Sequence, residues 1–303
     1  MKVLVTGGTG FIGRYVVSHL LAQGHEVALL VREAYGMGTP LPHDLEKRRA
    51  EVQTVYADLR NYRLTSRAVK EAAPNAVVHL AAAGATEPFL PIERALRHNV
   101  NGTLNLLRAC FEKFGRIEHF ITARTPGERT SMNVYAASKA AAWNFCQMYA
   151  RTRQFPIVGA MVFQSYGWGQ PSHALIPSAF RAAIANEDFA MTSGSQRRDW
   201  IDVRDVARGI CCMPDATFRP GETVELGTGT LSSVADVVQL IYDVTGSRGK
   251  PLIGALPGRP GEEQVQVAHV GLNATHQWQA QYSLRQGIQQ YHDCLVDSAP
   301  FAS

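Results

Sequence analysis

Apolar residues in this chain fall into short runs that alternate with longer stretches of helical spacing. Val3–Thr6 is a short apolar run ending in glycines. Phe11–Gln23 follows, with Phe11, Ile12, Tyr15, Val16 and Leu20 at helical intervals. Gly24 closes that helix, and Glu26–Val31 is the next apolar run. Val52–Ala57, Ala76–Leu80, His119–Ala123 and Pro156–Phe163 repeat the strand signal, while Leu90–Phe114 and Val134–Arg153 between them read as helices. Strands alternating with helices predict βαβ units and a doubly wound, parallel α/β sheet.

After about Gly167 the rhythm changes. Ala174–Asn186 reads as a helix, and Trp200–Gly209 and Thr223–Gly227 as a return to the sheet. Two further helical patterns, Ser232–Thr245 and Ser283–Leu295, are joined by the Pro/Gly-rich stretch Gly249–Gly261. The pattern predicts a large N-terminal domain, 1–167 with about 198–229. A smaller, discontinuous C-terminal domain takes about 168–197 with 230–303.

Composition narrows the class. A chain of 303 residues carries a prior of about two domains, and its 46% hydrophobic and 18% charged residues suit a packed core, not a disordered chain. The net charge of +4 allows a phosphate-bearing ligand but does not argue for nucleic acid. No apolar stretch approaches the ~18 residues of a membrane helix, and the N-terminus lacks the apolar segment of a signal peptide. The five cysteines include the adjacent Cys211 and Cys212 and form no C-x-x-C, so neither a disulfide framework nor a zinc site is expected. A reducing, cytoplasmic setting is the default expectation.

Candidate chemistry begins at Thr6-Gly7-Gly8-Thr9-Gly10-Phe11-Ile12-Gly13, between the first strand and the first helix. Gly8, Gly10 and Gly13 fit G-x-G-x-x-G, and Gly7, Gly10 and Gly13 fit the variant spaced by three. Missing side chains let the backbone approach a pyrophosphate, and the helix N-terminus adds N–H donors and a positive dipole. Gly7, Thr9, Gly10, Phe11, Ile12 and Gly13 are therefore candidate contacts of a dinucleotide. An acid ending the second strand would select NAD, and an arginine there would accommodate the 2′-phosphate of NADP. Val31 stands where the acid would be and Arg32 follows, with Arg14 adding positive charge, so NADP is expected. In the alternative, Glu33 binds the ribose and the cofactor is NAD.

From its motifs the chain resembles the extended short-chain dehydrogenase/reductase family of nucleotide-sugar epimerases, dehydratases and ketoreductases. The resemblance runs nearly end to end. It rests on the TGGTGFIG turn, Ala57-Asp58-Leu59, Val78-His79-Leu80-Ala81-Ala82, Asn99-Val100-Asn101-Gly102-Thr103-Leu104-Asn105 and Tyr135-Ala136-Ala137-Ser138-Lys139. Tyr166-Gly167-Trp168-Gly169-Gln170 and Arg198-Asp199-Trp200-Ile201-Asp202-Val203-Arg204-Asp205-Val206-Ala207 complete it. It implies a Rossmann cofactor domain and a C-terminal domain that binds a nucleotide sugar. Asp58 and Leu59 would then touch the adenine, and Ala81 and Ala82 would pass beneath the nicotinamide. From the residues alone, Asp58 serves equally as a helix cap before Arg60–Ala73. His79, in an apolar strand, is assigned no chemistry.

Tyr135 and Lys139 lie one helical turn apart on one face. A nearby ammonium is expected to lower the tyrosine pKa and ready it for proton transfer opposite a moving hydride. The resemblance adds a Ser/Thr past the fifth strand, where Thr125 is the first choice and Thr122 the second, and it places an active-site asparagine at Asn99. The family's loop of roughly 25 residues between that hydroxyl and the tyrosine is clipped here to ten positions. Pro126-Gly127 replace the Asp-Glu pair of the 4,6-dehydratases, which places that activity last.

On the substrate side the resemblance points to Gln164, Arg198 and Arg259, the two arginines as pyrophosphate ligands. Trp168 either stacks on a base or packs. Phe145, Met148 and Tyr149 are core or the interface of a homodimer of the kind found in relatives. The expected activity is NADP-dependent reduction of a keto group on a nucleotide-linked deoxysugar. The alternatives are a nucleotide-sugar epimerase with tightly bound NAD and a cofactor-sensing scaffold without turnover.

Overall fold

The computed structural model describes residues 1–32, 41–85, 87, 89–258, 261–270 and 278–298. Two compact units divide the chain: Met1–Val162 with Ala207–Val224, and Phe163–Val206 with Glu225–Ser303.

The first unit opens with β1 (Lys2–Thr6), α1 (Phe11–Ala22), β2 (Glu26–Val31), the short α2 (His43–Glu46), β3 (Val52–Tyr56), α3 (Tyr62–Ala72) and β4 (Ala76–His79). A long helix over 92–114 follows. It is built from α4 (Ile92–Ala95), a π-helical Leu96–Asn101, α5 (Gly102–Leu107) and a second π-helical stretch, Arg108–Phe114. Then come β5 (His119–Arg124), α6 (Val134–Arg153) and β6 (Ile157–Val162). Strands β2, β4 and β6 are buried almost throughout, as expected of strands covered on both faces. Leu4, Phe120, Leu106, Trp143 and Ile157 belong to one core cluster of this unit.

The seven-stranded sheet runs β10-β6-β5-β4-β1-β2-β3, with β10 at Thr223–Leu226, and each pair from β6 to β3 is parallel. Strand order reverses between β1 and β4, so the crevice beyond their carboxyl ends is where a doubly wound sheet binds ligands. Register sets Thr6 opposite His79. The turn after β1 therefore lies beside Leu80–Ala82.

The second unit contains β7 (Gln164–Tyr166), α7 (Leu175–Ile184), β8 (Phe189–Ala190) and β9 (Arg197–Asp202), from which α8 (Val203–Cys212) leads back to the first unit. Its remaining elements are β11 (Leu231–Ser233), α9 (Val234–Thr245), β12 (Pro251–Leu252), β13 (Val265–Gln266) and α10 (Leu284–Ser298). Tyr166, Phe180, Trp200, Ile241, Ile288 and Tyr291 share its core.

The expected return to the sheet over Trp200–Gly209 is corrected here. Strand β9 stops at Asp202, whose carboxylate accepts the Arg204 N–H at 2.9 Å, and buried Val203, Val206, Ala207 and Ile210 continue at helical spacing. Nor does β9 join the seven-stranded sheet; its neighbours are β7, β11 and β13. Thr223–Leu226 does rejoin it, as β10. No helix among the described residues is long and apolar enough to cross a membrane.

Candidate active site

The turn between β1 and α1 works by leaving side chains out. A Cβ on Gly7 (φ +71°) would lie 2.6 Å from the Ala81 nitrogen, and one on Gly13 would lie 2.1 Å from the Gly7 oxygen. The Gly10 N–H closes the turn on the Gly7 carbonyl at 3.0 Å. Helix α1 has no side-chain cap and no acid in its first turn. Its free N–H donors and positive end therefore remain for a pyrophosphate, and the cradle fits a dinucleotide cofactor.

Charged groups of both signs meet at the neighbouring strand ends. Val31 pairs with Tyr56, and the Ala57 N–H reaches the Val31 carbonyl at 3.0 Å, so Arg32 and Asp58 leave adjacent strands. Arg60 forks onto the Asp58 carboxylate through Nε at 2.9–3.0 Å and holds it below the usual carboxylate range. His98 is lowered first by burial and then by the fields of Arg60, Arg94 and Arg32. The helix cap weighed for Asp58 is supplied by Asn61, whose side chain accepts the Arg63 and Leu64 N–H groups. The Leu59 carbonyl is held by the Asn105 side chain at 2.8 Å. Glu33 and Arg259 lie outside the described residues.

A buried chain of hydrogen bonds runs from the glycine turn to α6. The Ala81 N–H donates to Thr6 Oγ1 at 3.3 Å, and Thr6 Oγ1 meets His79 Nδ1 at 2.7 Å. His79 Nε2 meets Thr103 Oγ1 at 2.9 Å, and Thr103 donates onward to the Asn99 carbonyl at 2.7 Å. Because the Thr103 proton is committed, Nε2 carries the histidine proton and Nδ1 accepts from Thr6. Burial, with the Lys139 ammonium behind it, pushes His79 down to about 3, so the ring is neutral. This histidine, assigned no chemistry from sequence, ties β1 and β4 to the long helix.

Asn99 sits in the first π-helical stretch and is 1% exposed. Its amide clamps both sides of Ala83, donating to the carbonyl at 2.9 Å and accepting the N–H at 2.8 Å. It also donates to Ser138 Oγ at 2.9 Å, and Ser138 donates to the Tyr135 carbonyl at 2.7 Å. Every polar atom of the Asn99 amide is thus engaged. Its bonds position Ala83 and the first turn of α6.

Helix α6 starts at an Asn133 cap and carries Tyr135 in its first turn and Lys139 one turn on. The expectation that Lys139 lowers the tyrosine pKa is reversed. Burial and then the Glu128 charge raise it, so the phenol keeps its proton. Burial pulls Lys139 down, against the opposing pull of Glu128. Thr125 is extended and half-buried at the end of β5, whereas Thr122 is 4% exposed within the strand. Thr125 thus follows the strand and Thr122 lies inside it. The clipped connection is a 3₁₀ turn, Pro126–Arg129, which turns Glu128 inward. Sequence reasoning misses both Glu128 and its partner Arg124. The only signal for them is the capping spacing of Thr125 and Glu128.

In the second unit, Gln164 opens β7 and is exposed. It pairs with Trp200 of β9, two residues beyond Arg198. Arg198 is 6% exposed and donates to Glu262 at 3.4 Å and to the Arg197 carbonyl at 3.0 Å. Trp168 meets Tyr291 edge to face. Back on α6, Phe145 is exposed, whereas Met148 and Tyr149 pack with the core of the first unit.

Residues 3–227 match the model of the NAD dependent epimerase/dehydratase family. A probable dTDP-glucose 4,6-dehydratase of Sinorhizobium fredii is 27% identical, over 95% of this chain and 91% of that protein. A UDP-glucose 4-epimerase of Halalkalibacterium halodurans is 29% identical, over 81% of each chain. The structure of a Thermus thermophilus UDP-glucose 4-epimerase in complex with NAD superposes with a TM-score of 0.80 at 27% identity, covering 97% of this chain and 98% of that one. With a matched model over most of its length and the glycine cradle and Tyr135/Lys139 helix in place, the chain belongs to the NAD dependent epimerase/dehydratase family of enzymes.

Proposed function

We propose that this enzyme reduces a keto group on a nucleotide-linked deoxysugar with NADPH. The observation that carries the reading is the end of β2, where buried Val31 replaces an acid and exposed Arg32 shares its surroundings with Arg60, Arg94 and His98. A carboxylate would repel a 2′-phosphate, and with Arg60 paired to Asp58 and Arg94 to Glu87, Arg32 is the charge this reading assigns to one.

With NADPH held by the glycine cradle, Tyr135 and Lys139, the dihydronicotinamide would supply hydride to the carbonyl carbon. Tyr135, which holds its proton, delivers it to the carbonyl oxygen and completes the alcohol. The Thr125 hydroxyl donates a hydrogen bond to the same oxygen as negative charge develops on it. Lys139 steadies the cofactor ribose and restores the tyrosine proton. Arg198, with Gln164 on the neighbouring strand and Arg259, holds the nucleotide diphosphate.

Dehydration would need a free acid and base beside Thr125. Pro126 and Gly127 offer neither, and the Glu128 carboxylate is committed to Arg124 and to the Thr125 N–H. The second reading, an epimerase that retains NAD, draws on the likeness to two UDP-glucose 4-epimerases.

Fluorescence titration with NADPH and NADH, followed by denaturation and analysis of released nucleotide, separates these readings. Tight NADPH binding, weak NADH binding and nothing released support the reductase. Stoichiometric NAD(H) released from the purified protein overturns it in favour of the epimerase. Reduction of dTDP-4-keto-6-deoxyglucose, followed by NADPH absorbance, then tests the substrate class.

A further inference from the structure

The Glu128 side chain is 1% exposed, yet it carries a charge into the space beneath α6. One carboxylate oxygen accepts the Thr125 N–H at 2.9 Å. The other accepts Arg124 Nε at 2.9 Å and lies 2.8 Å from Arg124 Nη2. Arg124 in turn donates to Thr223 Oγ1 at 2.7 Å and stacks over the Trp143 ring at 4.3 Å. One ion pair thus joins the end of β5, the start of β10 and the middle of α6. A buried carboxylate so fully bonded has little freedom to move, and the backbone it holds is that of Thr125.

We propose that Glu128 is a positioning residue of this site: it fixes Thr125 through the backbone and, anchored by Arg124, presents a buried negative charge to the Tyr135–Lys139 pair. The inference rests on the reading of Tyr135 as proton donor. A negative charge beside a phenol opposes its ionisation, which suits a site that must give a proton to a carbonyl and works against one that must first take a proton from an alcohol. The groups facing this corner are Glu128 and Arg129 from the turn, Arg124 from β5, Lys139 and Cys146 along α6, and neutral His79 from β4. Burial is the larger cause that keeps the Tyr135 proton in place, and the Glu128 charge adds to it.

The test is Glu128→Gln, which keeps an acceptor for the Thr125 N–H and removes the charge. With 2,3,5-trifluorotyrosine installed at position 135, the phenol becomes acidic enough to follow by ¹⁹F resonance. Its midpoint is expected about one pH unit lower in Glu128→Gln than in the otherwise wild-type protein. With NADPH and dTDP-4-keto-6-deoxyglucose, the alkaline limb of kcat should move down by the same amount, while KM and the NADPH Kd stay within about twofold. Glu128→Asp, which keeps the charge and withdraws it from Thr125, should lower kcat about tenfold or more with the midpoint nearly unmoved.

An unchanged ¹⁹F midpoint in folded Glu128→Gln overturns the inference whatever the substrate proves to be. A shifted midpoint with no reduction by the wild type supports the inference and overturns the reductase reading. If Glu128→Gln does not fold, Arg124→Gln/Glu128→Gln removes both charges, and the midpoint is expected to fall by less than in the single variant because the opposing Arg124 charge leaves with it; an unmoved midpoint there overturns the inference as well.

Discussion

Two turns carry the chemistry of the first unit, and they are built on opposite principles. The turn after β1 brings backbone to backbone: a Cβ on Gly13 would sit 2.1 Å from the Gly7 oxygen. The turn after β5 fills its interior with an ion pair, Arg124 to Glu128, closed by Thr125, Thr223 and Trp143. The first needs specific absences, which stand out in a sequence. The second needs specific partners, which become partners only when β5, β10 and α6 meet.

The sharpest way to break the first turn is Gly13→Val. Its side chain has nowhere to go between Gly7 and Gly8, so we expect NADPH binding to vanish and stability to fall by about 3 kcal/mol or more, read by fluorescence titration and urea unfolding. Tyr135→Phe probes the chemistry next to the second turn. It should cost about 10²–10⁴ in kcat with the NADPH Kd little changed. A Tyr135→Phe variant that kept full biological function would instead favour the scaffold reading.

The bond chain from the first turn to α6 sharpens the comparison through pH. His79 is held neutral, with its pKa depressed to about 3 from 6.5. The unfolded chain therefore takes up a proton below pH 6.5 that the native protein refuses, and stability falls as pH drops from 6.5 towards 3. Between pH 6.5 and 5 the loss from this group is about 2 kcal/mol. Denaturant midpoints should fall more steeply over that window in the wild type than in His79→Asn; equal slopes would contradict the account. Smallest is Arg32→Ser, expected to weaken NADPH about tenfold and to leave NADH unchanged, read by parallel titrations.

Much of the first unit is legible in the sequence because its signals are local. Strands β1 to β6 and helices α1 and α6 follow apolar periodicity, and the glycine turn follows spacing alone. The end of β9 is not legible, because Val203, Val206 and Ala207 are as apolar as a strand would be; the Asp202 carboxylate on the Arg204 N–H starts a helix there. The state of Tyr135 is hidden for a related reason. Spacing reveals the lysine one turn away, but burial and a carboxylate from another segment decide the proton. His79 looks like one more apolar strand position because its partners, Thr6 and Thr103, are 73 and 24 residues away.

The long helix over 92–114 has its own consequence. Its two π-helical stretches, Leu96–Asn101 and Arg108–Phe114, wind more slowly than the α-helical parts, and Asn99 lies on the first of them. Each acts as a joint with slack in a threaded rod. Deleting one residue from the first joint would tighten the thread and swing the N-terminal part of the rod by about 100° relative to the C-terminal part, parting Asn99 from Ala83 or Thr103 from His79. The clamp on Ala83 thus depends on the winding of this segment, and chain length within it is as constrained as the identity of any side chain it carries.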